Sequence, residues 1–300
     1  MTGTMPELEP STDERHVLGQ FIPLHYHYNM LTDQARMAGF KEALEHVVPQ
    51  GGKVLELGGG TGVLSFFAAQ NAAKVWCVER NHELVEAARR ILALNAGGDR
   101  IEVVEGDAFE YLPPEPVDVV ICEMLHVGLL REKQVEVIAS FKARYQEKFG
   151  SKLPAFVPEA SIQGLQPVQQ TFETYGFYAP VPFFQQPGAV HEATHELAEP
   201  TLFQTVDYGK DLPSQCAFDG AFAVTKAGTL NAVRFITKNV LAILVQEQRT
   251  VDWFSQYLVL PLDEPVAVNA GDKLTASFAY RPGAQIEELA SSLRVERASG

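Results

Sequence analysis

The segment Val54-Leu-Glu-Leu-Gly58-Gly-Gly60-Thr-Gly62 constrains this chain more than any other. A short apolar strand runs into alternating glycines, and a helical segment opens directly behind them. Glycine lets the backbone turn tightly and lets a ligand approach main-chain N–H groups with no Cβ in the way. The flanking pattern repeats the same alternation. Apolar runs predict strands over Lys53–Leu57, Lys74–Glu79, Arg100–Glu105 and Val117–Glu123. Helical spacing predicts helices over Asp33–Val48, Gly62–Gln70, His82–Asn95 and Arg131–Phe149. Strand–helix alternation specifies an α/β fold with a doubly wound parallel sheet. After Pro154-Ala-Phe-Val-Pro158 the texture changes to short strands punctuated by Asp207-Tyr-Gly, Lys226-Ala-Gly, Asn269-Ala-Gly-Asp and Arg281-Pro-Gly. That reads as an antiparallel sandwich or barrel. The expected organisation is a loose segment 1–20, a first domain 21–157, and an antiparallel second domain 158–300.

Composition narrows the function classes. The chain has 300 residues, 46% hydrophobic and 21% charged, which are globular values. No apolar stretch approaches the ~18 residues that a membrane helix needs, and the acidic N-terminus lacks the apolar centre of a secretory signal. Three scattered cysteines, Cys77, Cys122 and Cys216, make neither a disulfide framework nor a Cys-based metal site. A soluble, cytoplasmic protein is expected, with no membrane partner and no metal. The net charge of −14 argues against general nucleic-acid binding and favours small or basic partners.

The glycine spacing separates two cofactor classes. A dinucleotide loop, Gly-x-Gly-x-x-Gly counted from Gly58, needs its third glycine at a position held by Val63. Glu56-x-Gly58-x-Gly60-x-Gly62 is instead similar to the loop of Rossmann-like S-adenosylmethionine-dependent methyltransferases. There the acid before the glycines can accept hydrogen bonds around the cofactor's ammonium group. Glu79, at the end of the second strand, is placed to accept both ribose hydroxyls. Asp107, followed by Ala108 at the end of the third strand, is placed to meet the adenine amino group. Together these signals predict S-adenosyl-L-methionine as cofactor.

Past the fourth strand, Glu123-Met-Leu-His-Val-Gly-Leu-Leu-Arg-Glu132 resembles the double-glutamate loop of the protein arginine methyltransferases, with its acids nine positions apart. Upstream, His27-Tyr-Asn-Met30-Leu31-Thr-Asp33-Gln-Ala-Arg36 resembles the helical segment that in this family lies over the cofactor. The resemblance continues through Phe156-Val-Pro-Glu159, Tyr175-Gly-Phe177, Trp253, Gly271-Asp-Lys and Arg281-Pro, so it spans 21–297. It implies that Arg36 grips the methionine carboxylate, that Met30 lines the site near the transferred methyl, and that a β-barrel follows the methyltransferase domain. It also implies a homodimer built by an arm near 178–200, where Tyr178, Phe183 and Phe184 lie among prolines. The departures surround the acceptor. Met-Leu-His-Val127 replaces the family's Trp-Met-Gly-Tyr, with His126 at the glycine position. The Thr-His-Trp element is replaced by Val251-Asp252-Trp253, or in a shifted alignment by Asp252-Trp-Phe254, and an upstream tyrosine by Phe21.

The physical case for Glu123 and Glu132 stands without the resemblance. A guanidinium is protonated at any physiological pH and is a poor nucleophile, because its lone pairs are delocalised. Two carboxylates can fix its plane and hold positive charge on the nitrogens away from the reacting one. Glu123 also lies beside the cofactor. The expected activity is N-methylation of arginine in a basic protein. The alternatives are a small-molecule acceptor, or an idle relative that only binds. His191-Glu-Ala-Thr-His195 satisfies a zinc-protease pattern literally, but Ala198 and Thr201 fail its extended form. It is expected to be a chance match on a surface helix.

Overall fold

The computed structural model describes residues 22–297, so the segment 1–20 and Phe21 lie outside the described residues. The chain opens with two helices, α1 (Leu24–Thr32) and α2 (Gln34–Val47). Asp33 separates them and caps the second by accepting the Arg36 N–H at 3.0 Å. The parallel unit follows: β1 (Lys53–Leu57), α3 (Val63–Ala68), β2 (Lys74–Glu79), α4 (His82–Ala93), β3 (Ile101–Glu105), β4 (Val119–Cys122), α5 (Gln134–Phe149) and β5 (Ala155–Val157). Its five strands lie in the order β3-β2-β1-β4-β5, all parallel. The order reverses at β1, so the crevice at the carboxyl ends of β1 and β4 is the topological switch point of the sheet.

Two differences from the sequence expectation bear on the site. Helix α3 stops at Ala68 rather than Gln70. More consequentially, α5 begins at Gln134, with Lys133 as its N-cap, and not at Arg131. Glu132 therefore lies in the connection before the helix.

The remaining chain is antiparallel. β6 (Ala160–Gln170) pairs with β10 (Thr194–Glu196), β11 (Thr201–Asp207) and β13 (Gly228–Leu244); β13 pairs further with β14 (Arg249–Phe254) and β15 (Tyr257–Val268), and β15 with β9 (Phe183–Gln185). A second sheet joins β12 (Cys216–Ala223), β16 (Lys273–Tyr280) and β17 (Arg294–Arg297), with helix α6 (Ile286–Ser292) before its last strand, and a small ribbon pairs β7 (Glu173–Thr174) with β8 (Phe177–Tyr178). Leu165, Leu230, Phe235 and Leu258 of the larger sheet share one core with Phe222, Leu274, Phe278 and Tyr280 of the smaller. The short strands expected here include a long one. β13 runs for 17 residues, and register shifts near Asn231 and Leu241 let it bend round that core.

Helix α2 ties the two units together. Phe40, Ala43 and Leu44 pack on Val54 and Val75 of the parallel sheet and also on Leu241, Ala242 and Val251 of β13 and β14. Gly39 permits the approach: a Cβ there would meet Leu241 at 3.0 Å. Arg36 is thereby set between the glycine-loop edge and β14. Among the described residues no helix is long and apolar enough to cross a membrane, and the three cysteines are free and buried.

Candidate functional site

The glycines take the conformations that the turn requires. Gly58, Gly60 and Gly62 have φ of 79°, 52° and 80°, the left-handed region where a side chain is strained. The space is closed as well: a Cβ at Gly58 would meet Met124, at Gly60 His27, and at Gly62 Leu92. The Gly58 and Gly59 N–H groups both donate to Val78 O at 2.9 Å, which pins the loop onto β2. The loop forms one wall of a cleft of about 880 Å³ at the carboxyl edge of the sheet.

Every site residue predicted from sequence except Gly62 lines this cleft: Met30, Arg36, Glu56, Gly58, Gly60, Glu79, Asp107, Ala108, Glu123 and Glu132. Gly62 stands behind it, as the N-cap of α3. Glu56 is almost fully buried, and one carboxylate oxygen accepts both the N–H and the hydroxyl of Ser65. Burial nevertheless raises its pKa to about 7 against the lowering effect of those bonds. Glu79 accepts the Gly60 N–H at 2.9 Å through one oxygen and the Asn81 N–H at 2.8 Å through the other. It therefore shapes the loop as well as facing the cleft. Asp107 accepts the Phe109 N–H at 2.8 Å and has Arg80 3.7 Å from its second oxygen.

Helix α1 and the start of α2 form the opposite wall. His27 lies against Gly60, and its Nε2 is buried without a partner. Burial holds its pKa below the ordinary imidazole value, so the neutral ring is favoured. Sequence reading quoted this residue within a motif but gave it no role; its place on a helix that covers the glycine loop was the available signal. Arg36 donates to Glu123 in an ion pair, with side-chain exposures of 8% and 13%. Its guanidinium carbon stands 5.6 Å from the Phe40 ring centre and 5.9 Å from that of Trp253. Trp253 arrives from β14, so the antiparallel unit completes the arginine's surroundings. Neighbouring Asp252 pairs with Lys238 at 2.8 Å.

The connection carrying Glu123 and Glu132 is tightly held. Gln134 accepts the Met124 N–H at 2.9 Å and donates to Cys122 O at 2.6 Å. Beyond it the backbone turns left-handed at Gly128, Leu129 and Arg131, with φ of 69°, 55° and 62°. Left-handed leucine and arginine cost on the order of 1–3 kcal/mol each, so the surroundings must enforce them. Glu132 is mostly buried, and its pKa rises to about 7, first from burial and then from the negative charge of Glu123. The two acids are thus close enough to repel.

The family's glycine position is no loss here. His126 has φ of −128° and ψ of 157°, extended backbone that any residue adopts. Its ring meets Phe184 edge-on at 5.2 Å, and burial lowers its pKa to about 4. The zinc-protease pattern is corrected in one respect. It does not lie on a helix, because Thr194–Glu196 forms the strand β10 on β6. His191 lies ahead of that strand with its Nε2 on Gln186 O, and only His195 is within it, so the two do not form the helical pair that the pattern needs. Among the described residues no cluster of His, Cys, Asp or Glu is arranged to hold a metal.

Comparison with known proteins agrees with this geometry. Residues 54–147 match the family described as "Methyltransferase domain". The chain is 28% identical over 268 residues to the uncharacterized protein MJ1452 of Methanocaldococcus jannaschii, covering 89% of this chain and 96% of that one. It is 32% identical over 137 residues to protein arginine N-methyltransferase PRMT10 of Oryza sativa, covering 44% and 35% respectively. In structure it superposes on the Trypanosoma brucei PRMT1 enzyme–prozyme complex with AdoHcy at a TM-score of 0.69 and 18% identity, covering 85% of this chain and 87% of that one. Residues 54–147 thus form a methyltransferase domain, with S-adenosylmethionine as its cofactor. The parallel and antiparallel units together have the fold of the protein arginine methyltransferases.

Proposed function

We propose that this methyltransferase N-methylates the guanidinium of arginine side chains in basic proteins, with Glu123 and Glu132 as the catalytic pair. The observation that supports it is the placement of both carboxylates, from one connection, on the cofactor cleft, with Arg36 on the first and the second perturbed by it. The names of PRMT10 from rice and PRMT1 from Trypanosoma brucei support the same acceptor class.

The cleft suits the cofactor residue by residue. Gly58 and Gly60 let a ligand approach the loop; Arg36 has donors that would hold the cofactor's carboxylate; Glu56 would accept from its ammonium and Glu79 from its ribose hydroxyls. Asp107 and Ala108 would bound its adenine, and Met30 would line the site near the reacting methyl. The cofactor, when bound, supplies a methyl group on a sulfonium, an electrophile. The protein's contribution is to orient the acceptor nitrogen. An approaching guanidinium brings positive charge between Glu123 and Glu132, which favours the ionised form of Glu132 and lowers its pKa again. The two carboxylates then hold the cation's plane, so that one nitrogen faces the methyl.

We further propose a cytoplasmic homodimer, in which the arm near 178–200 covers a partner's helix α1. Phe177, Tyr178 and Val181 are exposed on one element, and Tyr26, Tyr28 and Leu31 on the other. Light scattering at micromolar concentration should give twice the chain mass. The acceptor is tested with labelled S-adenosylmethionine, a synthetic arginine-rich peptide and a panel of small amines, followed by amino-acid analysis. Label recovered in methylarginine is expected. Label found only on small amines would replace this reading with the small-molecule one.

A further inference from the structure

The antiparallel unit grips both peptide groups that flank Gly128, in the connection that carries Glu132. The Gly128 N–H donates to the Thr237 hydroxyl of β13 at 2.7 Å, and the Tyr280 hydroxyl of β16 donates to Gly128 O at 2.8 Å. Thr237 in turn donates to Gln163 of β6 at 2.7 Å, so its hydroxyl is oriented by a second strand. Thr237 and Tyr280 are fully buried. Two backbone bonds reinforce the attachment: Gly283 N–H to Leu129 O and Arg131 N–H to Ala284 O, both at 2.7 Å. Gly128 fits so closely that a Cβ would lie 3.2 Å from the Tyr280 hydroxyl.

We propose that Thr237 and Tyr280 are positioning residues for methyl transfer, clamping the Gly128 backbone from both sides so that the left-handed turn through Leu129 and Arg131 delivers Glu132 to the cleft. The turn needs such a clamp. Its left-handed leucine and arginine are strained, and an unrestrained connection would relax them toward ordinary backbone. Relaxation moves Glu132, because only Leu129, Leu130 and Arg131 separate it from Gly128, which the antiparallel unit holds by side chain. Displacement of a catalytic group by about 1 Å costs on the order of a hundredfold in rate. The antiparallel unit is thus part of the catalytic apparatus, and not only a surface for the acceptor. In this sense the inference rests on the proposed role of Glu132.

The test uses the full chain and the variants Tyr280→Phe, Thr237→Val, Thr237→Ser and their Phe/Val double, each checked by circular dichroism and thermal melting. Phe and Val remove one hydroxyl hydrogen bond each, whereas Thr237→Ser keeps the hydroxyl. The first readout needs no acceptor: NMR titration of the Glu132 side-chain carboxyl, assigned by its absence in Glu132→Gln. The charged groups acting on it are Glu123 and Arg131. In the wild type the midpoint is expected near 7; in the double variant it should fall by a unit or more toward the ordinary carboxylate value, because a released connection lets water reach the group. Thr237→Ser should restore the wild-type midpoint. The second readout is turnover of an arginine-rich peptide, where Tyr280→Phe and Thr237→Val should each lose about tenfold or more in kcat with S-adenosylmethionine affinity unchanged. Because both act on the backbone of one residue, the double should lose less than the product of the singles. A folded double variant with an unchanged Glu132 midpoint overturns the clamp. Wild-type turnover in Glu132→Gln would instead overturn the role of that acid, and the titration would still decide the clamp.

Discussion

Arg36 of α2 and Glu123 at the end of β4 form a buried ion pair although 87 positions separate them in the chain. A guanidinium carries several donors in a fixed plane, so one carboxylate partner leaves others for a second. In the proposed reading the pair links the cofactor end of the cleft to the acceptor end through one side chain. The Phe40 and Trp253 rings, 6.2 Å apart and tilted, both pack beside the guanidinium, which an ammonium on a flexible stem cannot reproduce.

From this follows the first prediction. Arg36→Lys should weaken S-adenosylmethionine binding by about 2 kcal/mol, the scale of a charge-assisted hydrogen bond. Trp253→Ala should weaken it by roughly 0.5–2 kcal/mol, the scale of a cation–π contact, although Trp253 lies in the antiparallel unit. Titration calorimetry measures both. Unchanged affinity in Arg36→Lys would detach the pair from the cofactor.

The second prediction concerns pH. With Glu132 raised to about 7, the free enzyme is partly protonated at the acid that must receive a cation. Deprotonation favours binding, so kcat/KM should rise with pH and level off above about 7. The kcat profile should level off at lower pH, since a bound guanidinium stabilises the ionised acid. Equal midpoints in the two profiles would contradict a cationic acceptor.

Glu79 gives the third. It holds the Gly60 N–H and faces the cleft, so Glu79→Ala should cost about 1.5–3 kcal/mol in S-adenosylmethionine affinity. Calorimetry on a folded variant that shows no change would remove it from the ribose site.

His126 supplies a stability prediction. Its folded pKa, about 4, lies below the unfolded value near 6.5. The unfolded chain therefore takes up a proton first, and the contribution present above about pH 6.5 is lost as pH falls toward 4. Relative to wild type, His126→Gln should lack about 3 kcal/mol of that loss in urea unfolding at several pH values. Parallel curves would show that the buried ring does not titrate in this way.

Several of these relationships were not legible in sequence. The parallel sheet was, because β1, β2 and β4 are buried on both faces and read as continuous apolar runs. The glycine loop was, because left-handed backbone leaves few residues to choose from. Glu132 could be found by spacing, but its environment could not. The left-handed Leu129 and Arg131 carry no sequence mark, and they delay the start of α5 until Gln134. The partners that enforce the turn, Thr237 and Tyr280, lie more than a hundred residues away. The His-Glu-Ala-Thr-His stretch misled toward a helix because local spacing does not reveal that β6 offers it a strand partner.

If two carboxylates receive one guanidinium, turnover of Glu132→Gln on an arginine-rich peptide must fall. Gln keeps the size and loses the charge; Glu132→Asp keeps the charge and withdraws it by about one bond length. Both should lose at least about a hundredfold in kcat/KM, while S-adenosylmethionine affinity stays near that of the wild type. Wild-type turnover by Glu132→Gln would contradict the account and leave a neutral acceptor in the guanidinium's place.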